Sequence, residues 1–259
     1  MNIIPENEYA DHKGLSQSGA KELLRSPRHF LQYLERDREE QTPAQRIGSL
    51  VHMASLQPRL YDEVVAVAPE CDRRTKDGKE IWAAFQSSLK DGQTAITQKE
   101  SEAVISISVS AREALDDLTK QIGAVSSVVE QPMVKRYNGV DIKGRPDIVF
   151  ELKEGRRLVA DIKTTTDAGK PFVKDIANYL YFLQGAWYME LTGADRFVII
   201  AVEKDAPHEW ALYELDEASL AKGKALMDSA VALFGQCNAF KSFPGYPKDI
   251  QTVSLPAWA

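Results

Sequence analysis

Residues 144–165 read GRPDIVFELKEGRRLVADIKTT. Two short motifs lie in this stretch, Gly144-Arg145-Pro146-Asp147 and, fourteen residues after Asp147, Asp161-Ile162-Lys163. Residues two apart on a strand share a face, so a strand here points Asp161 and Lys163 the same way and sends Ile162 into a core. If Asp147 ends the neighbouring strand, two carboxylates and one ammonium converge. Two close carboxylates repel unless a cation lies between them, and hard oxygen donors in that arrangement suit Mg²⁺, with Mn²⁺ as a substitute. Such an ion polarises a phosphodiester and supplies hydroxide, while Lys163 steadies the attacking water or the developing charge. An Asp-x-Lys alone is commonplace on any strand. It is the Gly-Arg-Pro-Asp at this spacing that makes these residues a candidate site.

Outward from this stretch, the pattern on either side is regular. Ser16 caps a helix ending near Arg25 with Ala20, Leu23 and Leu24 on one face, and Pro27 opens a second carrying Phe30, Leu31 and Leu34. A third, over 43–56, turns Ile47, Leu50, Val51 and Ala54 inward. Thr97 and Glu100 form a capping-box pattern that opens a long helix to about Gln121. The period then shortens, and 125–129, 133–137, 140–150 and 157–163 read as strands. A single helix over 171–191 stops at Gly193. Residues 197–202 form a buried strand, 210–215 an exposed one, and 217–234 a closing helix. Helices, a mostly antiparallel run of strands, then a helix and another strand give an α/β sandwich. With no repeat, low-complexity tract or linker, 1–259 reads as one domain.

Three further features point at the same chemistry. Gly48-Ser-Leu-Val-His52 puts a histidine on a helix whose other inward residues are apolar, after a glycine spacing that permits close backbone approach. Gln184 and Tyr188, at i and i+4, share a helix face. Glu130, at the end of an earlier strand, is a third carboxylate in reach of a metal.

Composition sets the outer bounds. The chain has 259 residues, 44% of them hydrophobic and 27% charged, which is the composition of a globular protein. Its longest apolar run, 197–202, is far short of the ~20 residues of a membrane span, and MNIIPENEYA lacks the layout of a secretory signal. Two cysteines, Cys71 and Cys237, exclude a disulfide framework and any four-cysteine zinc or iron–sulfur site. A soluble, cytoplasmic protein without a membrane partner is expected. The formal net charge is −6, which argues against coating nucleic acid through bulk positive charge. The charge is uneven, however. Residues 71–79 hold Arg73, Arg74, Lys76 and Lys79 against two acids, whereas 203–217 hold six acids against Lys204.

The ordered set Gly-x-x-x-His, Gly-x-Pro-Asp, Asp-x-Lys and Gln-x-x-x-Tyr resembles the PD-(D/E)XK nuclease superfamily in its RecB-like branch. APECDRRTKDGKE at 68–80, DIKTT at 161–165 and SLPAWA at 254–259 narrow the resemblance to the RecE-like (exonuclease VIII) nuclease domain. It runs from LSQSGAKELLRSP at Leu15 to the end; the long extra N-terminal region of RecE has no counterpart here. The resemblance implies an α/β fold with a central mixed sheet flanked by helices. It implies a Mg²⁺-dependent, ATP-independent 5′-to-3′ exonuclease on linear double-stranded DNA, working in recombination by single-strand annealing. The lack of a P-loop signature agrees with ATP independence. By position, Asp147 and Asp161 would be metal ligands, His52 would reach the same ion or a second one, and Lys163 would serve the attacking water. Gln184 and Tyr188 would orient substrate or the lysine, and Glu130 would sit at the edge of the site. The family also implies a ring tetramer around DNA and a RecT-type annealing partner for the product strand.

A helix N-terminus carrying Ser16 and Ser18 is a ready anion site. Related ring exonucleases hold a 5′-phosphate at such a helix start, which makes Ser18, with Arg25 and Arg28 nearby, the expected anchor; a plain cap with a solvated basic face is the ordinary alternative. Arg73, Arg74 and Lys76 read either as a loop gripping the DNA backbone or as a solvated loop. Three other functions stay open at this level. One is a catalytically silent DNA-end-binding recombination protein. Another is a single-strand or structure-specific nuclease on the same fold, though the clusters of the Cas4 and AddB kind need four cysteines. The third is an unrelated α/β protein with chance motifs.

Overall fold

The capping residues act where the sequence places them. A computed structural model describes residues 1–35 and 42–255. In it Ser16 accepts from the Gly19 N–H, Thr42 and Gln45 form a capping box, and so do Thr97 and Glu100. The elements in chain order are α1 (Glu6–Asp11), β1 (Leu15–Ser16), α2 (Gln17–Arg25), α3 (Pro27–Glu35), α4 (Pro43–Leu56), α5 (Pro58–Val64), β2 (Val65–Val67), α6 (Lys76–Ser88), β3 (Thr94–Ile96) and α7 (Gln98–Ile122). There follow β4 (Ser126–Val129), β5 (Met133–Tyr137), β6 (Val140–Gly144), β7 (Ile148–Glu151), β8 (Arg157–Thr165), α8 (Phe172–Asn178), α9 (Tyr181–Thr192), β9 (Arg196–Glu203), β10 (Trp210–Glu214) and α10 (Glu217–Phe240). The last four residues of the SLPAWA segment, 256–259, lie outside the described residues.

The central sheet has the order β10-β9-β8-β7-β4. It is mixed: β8 and β9 run parallel, joined by the α8–α9 crossover, and the other neighbours are antiparallel. Its central strands are almost wholly buried, so their side chains feed two cores by strict alternation. Val149, Val159, Phe197, Ile199 and Ala201 pack with α2, α9 and α10. Ile148, Phe150, Leu158, Ala160, Ile162, Val198, Ile200 and Val202 pack with α4 and α7. The expected α/β architecture, a mixed sheet flanked by helices, is the one found.

Three readings of local structure need correction. Residues 140–150 are not one strand. β6 pairs with β5 and with β1 in a separate three-stranded sheet, and β7 belongs to the central one. Pro146 separates them, since it has no N–H for a ladder and restrains Arg145 before it. The helix over 171–191 is two. Leu180, with φ +53°, breaks it between α8 and α9, and neither glycine nor proline marks the break. Lys76 opens a helix rather than lying in a loop. Thr75 caps α6, and Gly78 comes so close to Asp72 that a Cβ there would lie 2.0 Å from the Asp72 carbonyl oxygen. Among the described residues, no helix is long and apolar enough to cross a membrane.

Candidate active site

Strand register brings the acids into line. Val129 pairs with Ile148, and Ile148 with Ala160. One step further along, Glu130 just after β4 and Asp147 just before β7 come level with Asp161 in the middle of β8. The Glu130 N–H donates to the Asp147 carbonyl at 2.9 Å. Glu130 holds a left-handed backbone, φ +50°, which costs a non-glycine residue of order 1 kcal/mol.

Asp147 is 6% exposed. Its Oδ2 accepts from the Ile162 N–H at 2.7 Å and lies 3.3 Å from His52 Nδ1, which α4 delivers from the other layer. The possible ligand atoms of His52, Glu130 and Asp147 all lie within 4.8 Å of one another. One imidazole and two carboxylates so grouped fit a divalent cation. Asp161, 0% exposed, stands beside this set with its oxygens engaged. Gln184 Nε2 donates to Oδ1 at 2.7 Å, and Oδ2 pairs with the Lys163 ammonium. Tyr188 lies one turn after Gln184 on the same helix face and is buried beside it.

Electrostatics follow from this crowding. Burial and the Asp147 charge push Asp161 up to about 6. Burial, followed by the same charge, pushes Glu130 up to about 7. Burial opposes the imidazolium of His52, but the Asp147 carboxylate outweighs it and raises His52 to about 9. Asp147 itself is held below the usual carboxylate range, because His52 and Lys163 outweigh its burial. Lys163 is likewise raised, since Asp161 and Asp147 overcome its burial. Without a bound ion, His52 therefore keeps its second proton near neutral pH and Glu130 is about half protonated, and a metal would displace these protons.

The structure thus brings His52, Glu130, Asp147, Asp161, Lys163, Gln184 and Tyr188 together. Two details differ from the sequence expectation. A Cβ on Gly48 would lie an ordinary 3.5 Å from Thr164 Oγ1, so no close backbone approach explains that glycine. Gly144 is the constrained one: a Cβ there would lie 2.7 Å from Leu191 and 3.0 Å from Tyr188 of α9. Ser18 accepts from Gln17 Nε2 at 2.8 Å, while Arg25 and Arg28 are exposed on α2 and α3. Arg73 stacks 3.3 Å from the Trp82 ring centroid, Arg74 pairs with Asp72 at 3.0 Å, and Lys76 lies 4.0 Å from Glu80. The partners of all three lie within 72–82, apart from the cluster.

Two neighbours of the site escaped the sequence reading. Tyr181 lies three residues before Gln184, on the same helix face, and its ring is 5.1 Å from Lys163 Nζ. Lys21 reaches the same ring at 5.6 Å, three residues after Ser18 on α2. Burial and the charge of Lys163 bring the Lys21 ammonium down to about 8. Helical spacing from Gln184 and Ser18 was the available signal for both.

Comparison with curated proteins finds no match. Among solved structures, the chain is similar to a candidate exonuclease from Eubacterium rectale, at 16% identity and a TM-score of 0.60, covering 99% of this chain and 96% of that one. A phage-related exonuclease from Haemophilus somnus matches at 15% identity and a TM-score of 0.38, over 91% of this chain and all of that one. At these identities the first likeness speaks for the fold alone. A family model covers residues 16–256. With the strand register, the paired acids and the Asp-x-Lys in place, the chain belongs to the PDDEXK-like domains of unknown function, DUF3799.

Proposed function

We propose that this chain is a Mg²⁺-dependent, ATP-independent exodeoxyribonuclease that degrades linear double-stranded DNA from its ends, 5′ to 3′, in recombination by single-strand annealing. The observation that carries the reading is the junction of two groups on one sheet end. His52, Glu130 and Asp147 supply a ligand set, and Asp161 with Lys163 supplies a carboxylate–ammonium pair beside it. A divalent ion held by the first group would neutralise and polarise a phosphodiester.

The chain's own residues divide the remaining work. Lys163 keeps its proton at neutral pH, so it acts as a fixed positive charge that orients the attacking water and offsets charge developing on the phosphate, not as a base. Asp161 holds that ammonium in place and is available as a further ligand. Gln184 fixes the Asp161 carboxylate, and Tyr188, one turn on, is proposed to orient substrate or the lysine. Ser18, with Arg25 and Arg28, is the proposed 5′-phosphate anchor. Arg73, Arg74 and Lys76 are proposed to meet the DNA backbone. A ring tetramer and a RecT-type partner rest on the family resemblance alone, and a cytoplasmic site of action on the composition read above.

End-labelled linear duplex and closed circular duplex, each with and without Mg²⁺, test the reading together. The expected result is loss of the linear DNA alone, only with metal, and from the 5′ end. Binding of ends without any cleavage would favour the silent end-binding protein instead.

A further inference from the structure

We propose that Lys21 contacts the substrate, its ammonium taking the oxygens of a backbone phosphate that flanks the one being cut. The inference rests on the nuclease reading above and extends it to a residue that reading does not use. Lys21 sits on α2, which is firmly held. Ser16 caps it, β1 ties its start to β6, and Ala20 and Leu23 are fully buried on either side of the lysine. Its position is therefore set by the fold rather than by a flexible loop.

Two cations share one ring here. Lys21 Nζ lies 5.6 Å and Lys163 Nζ 5.1 Å from the Tyr181 centroid. Lys163 has the Asp161 carboxylate as its counter-ion. Lys21 is half-buried, and among the described residues no carboxylate lies within ion-pair distance of it. A half-buried ammonium next to another ammonium, with an aromatic ring beside it and its attraction to Asp161 shared with Lys163, which already pairs with that carboxylate, is an unfavourable arrangement as it stands. An anion entering between the ring and the Asp161–Lys163 pair would relieve it. In a site for a phosphodiester chain, that anion is the neighbouring phosphate. A ring contact alone would not favour leaving the charge uncompensated, since cation–π attraction at a partly exposed site is modest.

The test uses the full chain with Lys21→Met, Lys21→Gln and Lys21→Arg. Linear duplexes carry one neutral methylphosphonate at a time, stepped along the cleaved strand on both sides of the scissile bond. The parent protein should be slowed by neutralisation at one flanking position. Lys21→Met and Lys21→Gln should lower kcat/KM on unmodified duplex on the order of tenfold and lose the penalty at that position, while Lys21→Arg keeps it. Equilibrium binding of duplex without metal should show a slope of log K against log salt flatter by about 0.9 in Met and Gln, as for one lost phosphate contact. Thermal stability should be unchanged or higher, because an uncompensated charge has been removed. The same methylphosphonate pattern in Lys21→Met as in the parent, or an unchanged salt slope, would overturn the assignment. Should the parent cut no DNA at all, the nuclease reading fails, and the salt slope still decides whether Lys21 meets a phosphate.

Discussion

The carboxylate of Asp147 accepts the backbone N–H of Ile162 at 2.7 Å. Ile148 and Ala160 are the last residues to pair at this end of β7 and β8, so a side chain continues the ladder where Pro146 interrupts the backbone. The two motifs that stand fourteen residues apart in the chain are thereby locked together, and the same oxygen faces His52. Asp147 thus has a structural task and an electrostatic one, and these can be separated.

Asp147→Asn keeps an acceptor for the Ile162 N–H but removes the charge. The fold should survive, with a stability loss of about 1 kcal/mol. His52 should lose its elevated pKa, since burial then outweighs the attraction that raised it. Titration of the His52 ring by NMR checks this directly. Binding of Mn²⁺ by calorimetry and duplex cleavage should both be abolished. A His52 titration unchanged from the parent would show that Asp147 is not its partner.

Lys163→Met should stop turnover and also lower stability, because it leaves Asp161 buried without its counter-ion; breaking a buried pair this way costs about 3–5 kcal/mol when the stranded charge remains. With the ammonium gone, the Asp161 carboxyl rises above its present value of about 6 and can neutralise itself. A raised carboxyl contributes stability that is lost as pH climbs through its folded pKa. The deficit of the variant should therefore be larger at pH 8 than at pH 5 by thermal melts. The double variant Asp161→Asn, Lys163→Met should recover much of the loss without recovering activity.

The metal-free protein should become less stable as pH rises from 5 to 8. Folded Glu130 and Asp161 titrate near 7 and 6, above their ordinary values, and His52 near 9. All three bind more protons folded than unfolded in this window, so stability falls with pH. Divalent-ion binding requires those same groups to release protons. The rise in Tm on adding Mg²⁺ should accordingly grow over the window. Calorimetry in buffers of different ionisation enthalpy should show net proton release near pH 7. A Tm gain that shrinks with pH would contradict the ligand set.

If Ser18 holds a terminal phosphate, duplex with 5′-hydroxyl ends should be cut more slowly than its phosphorylated twin. Ser18→Ala should remove the difference instead of slowing both equally. The Ser16 side chain, not that of Ser18, caps α2, so the variant should melt within about 0.5 kcal/mol of the parent, as a substitution that breaks no cap or core contact does. Equal rates on the two ends in the parent would remove the anchor.

Much of the molecule was legible in the chain because its signals are local. Thr97 with Glu100, Ser16 before α2 and Gly193 after α9 mark helix ends through one or two backbone hydrogen bonds each. The alternation of Val159, Ala160, Asp161, Ile162 and Lys163 separated core-facing from site-facing residues before any neighbour was known. The order of His52, Asp147, Asp161, Lys163, Gln184 and Tyr188 was enough to name a fold superfamily. The break at Leu180 was not legible, since a leucine takes a left-handed conformation there and no glycine or proline marks it. The close packing of α9 against Gly144, the reach of His52 from the opposite layer and the approach of Lys21 to Tyr181 all depend on distances between segments far apart in sequence. Residue type and local spacing determined which groups could do chemistry; only strand register and the packing of two helical layers on one sheet decided which of them meet, because a pairing shifted by one residue would turn each of these side chains to the other face.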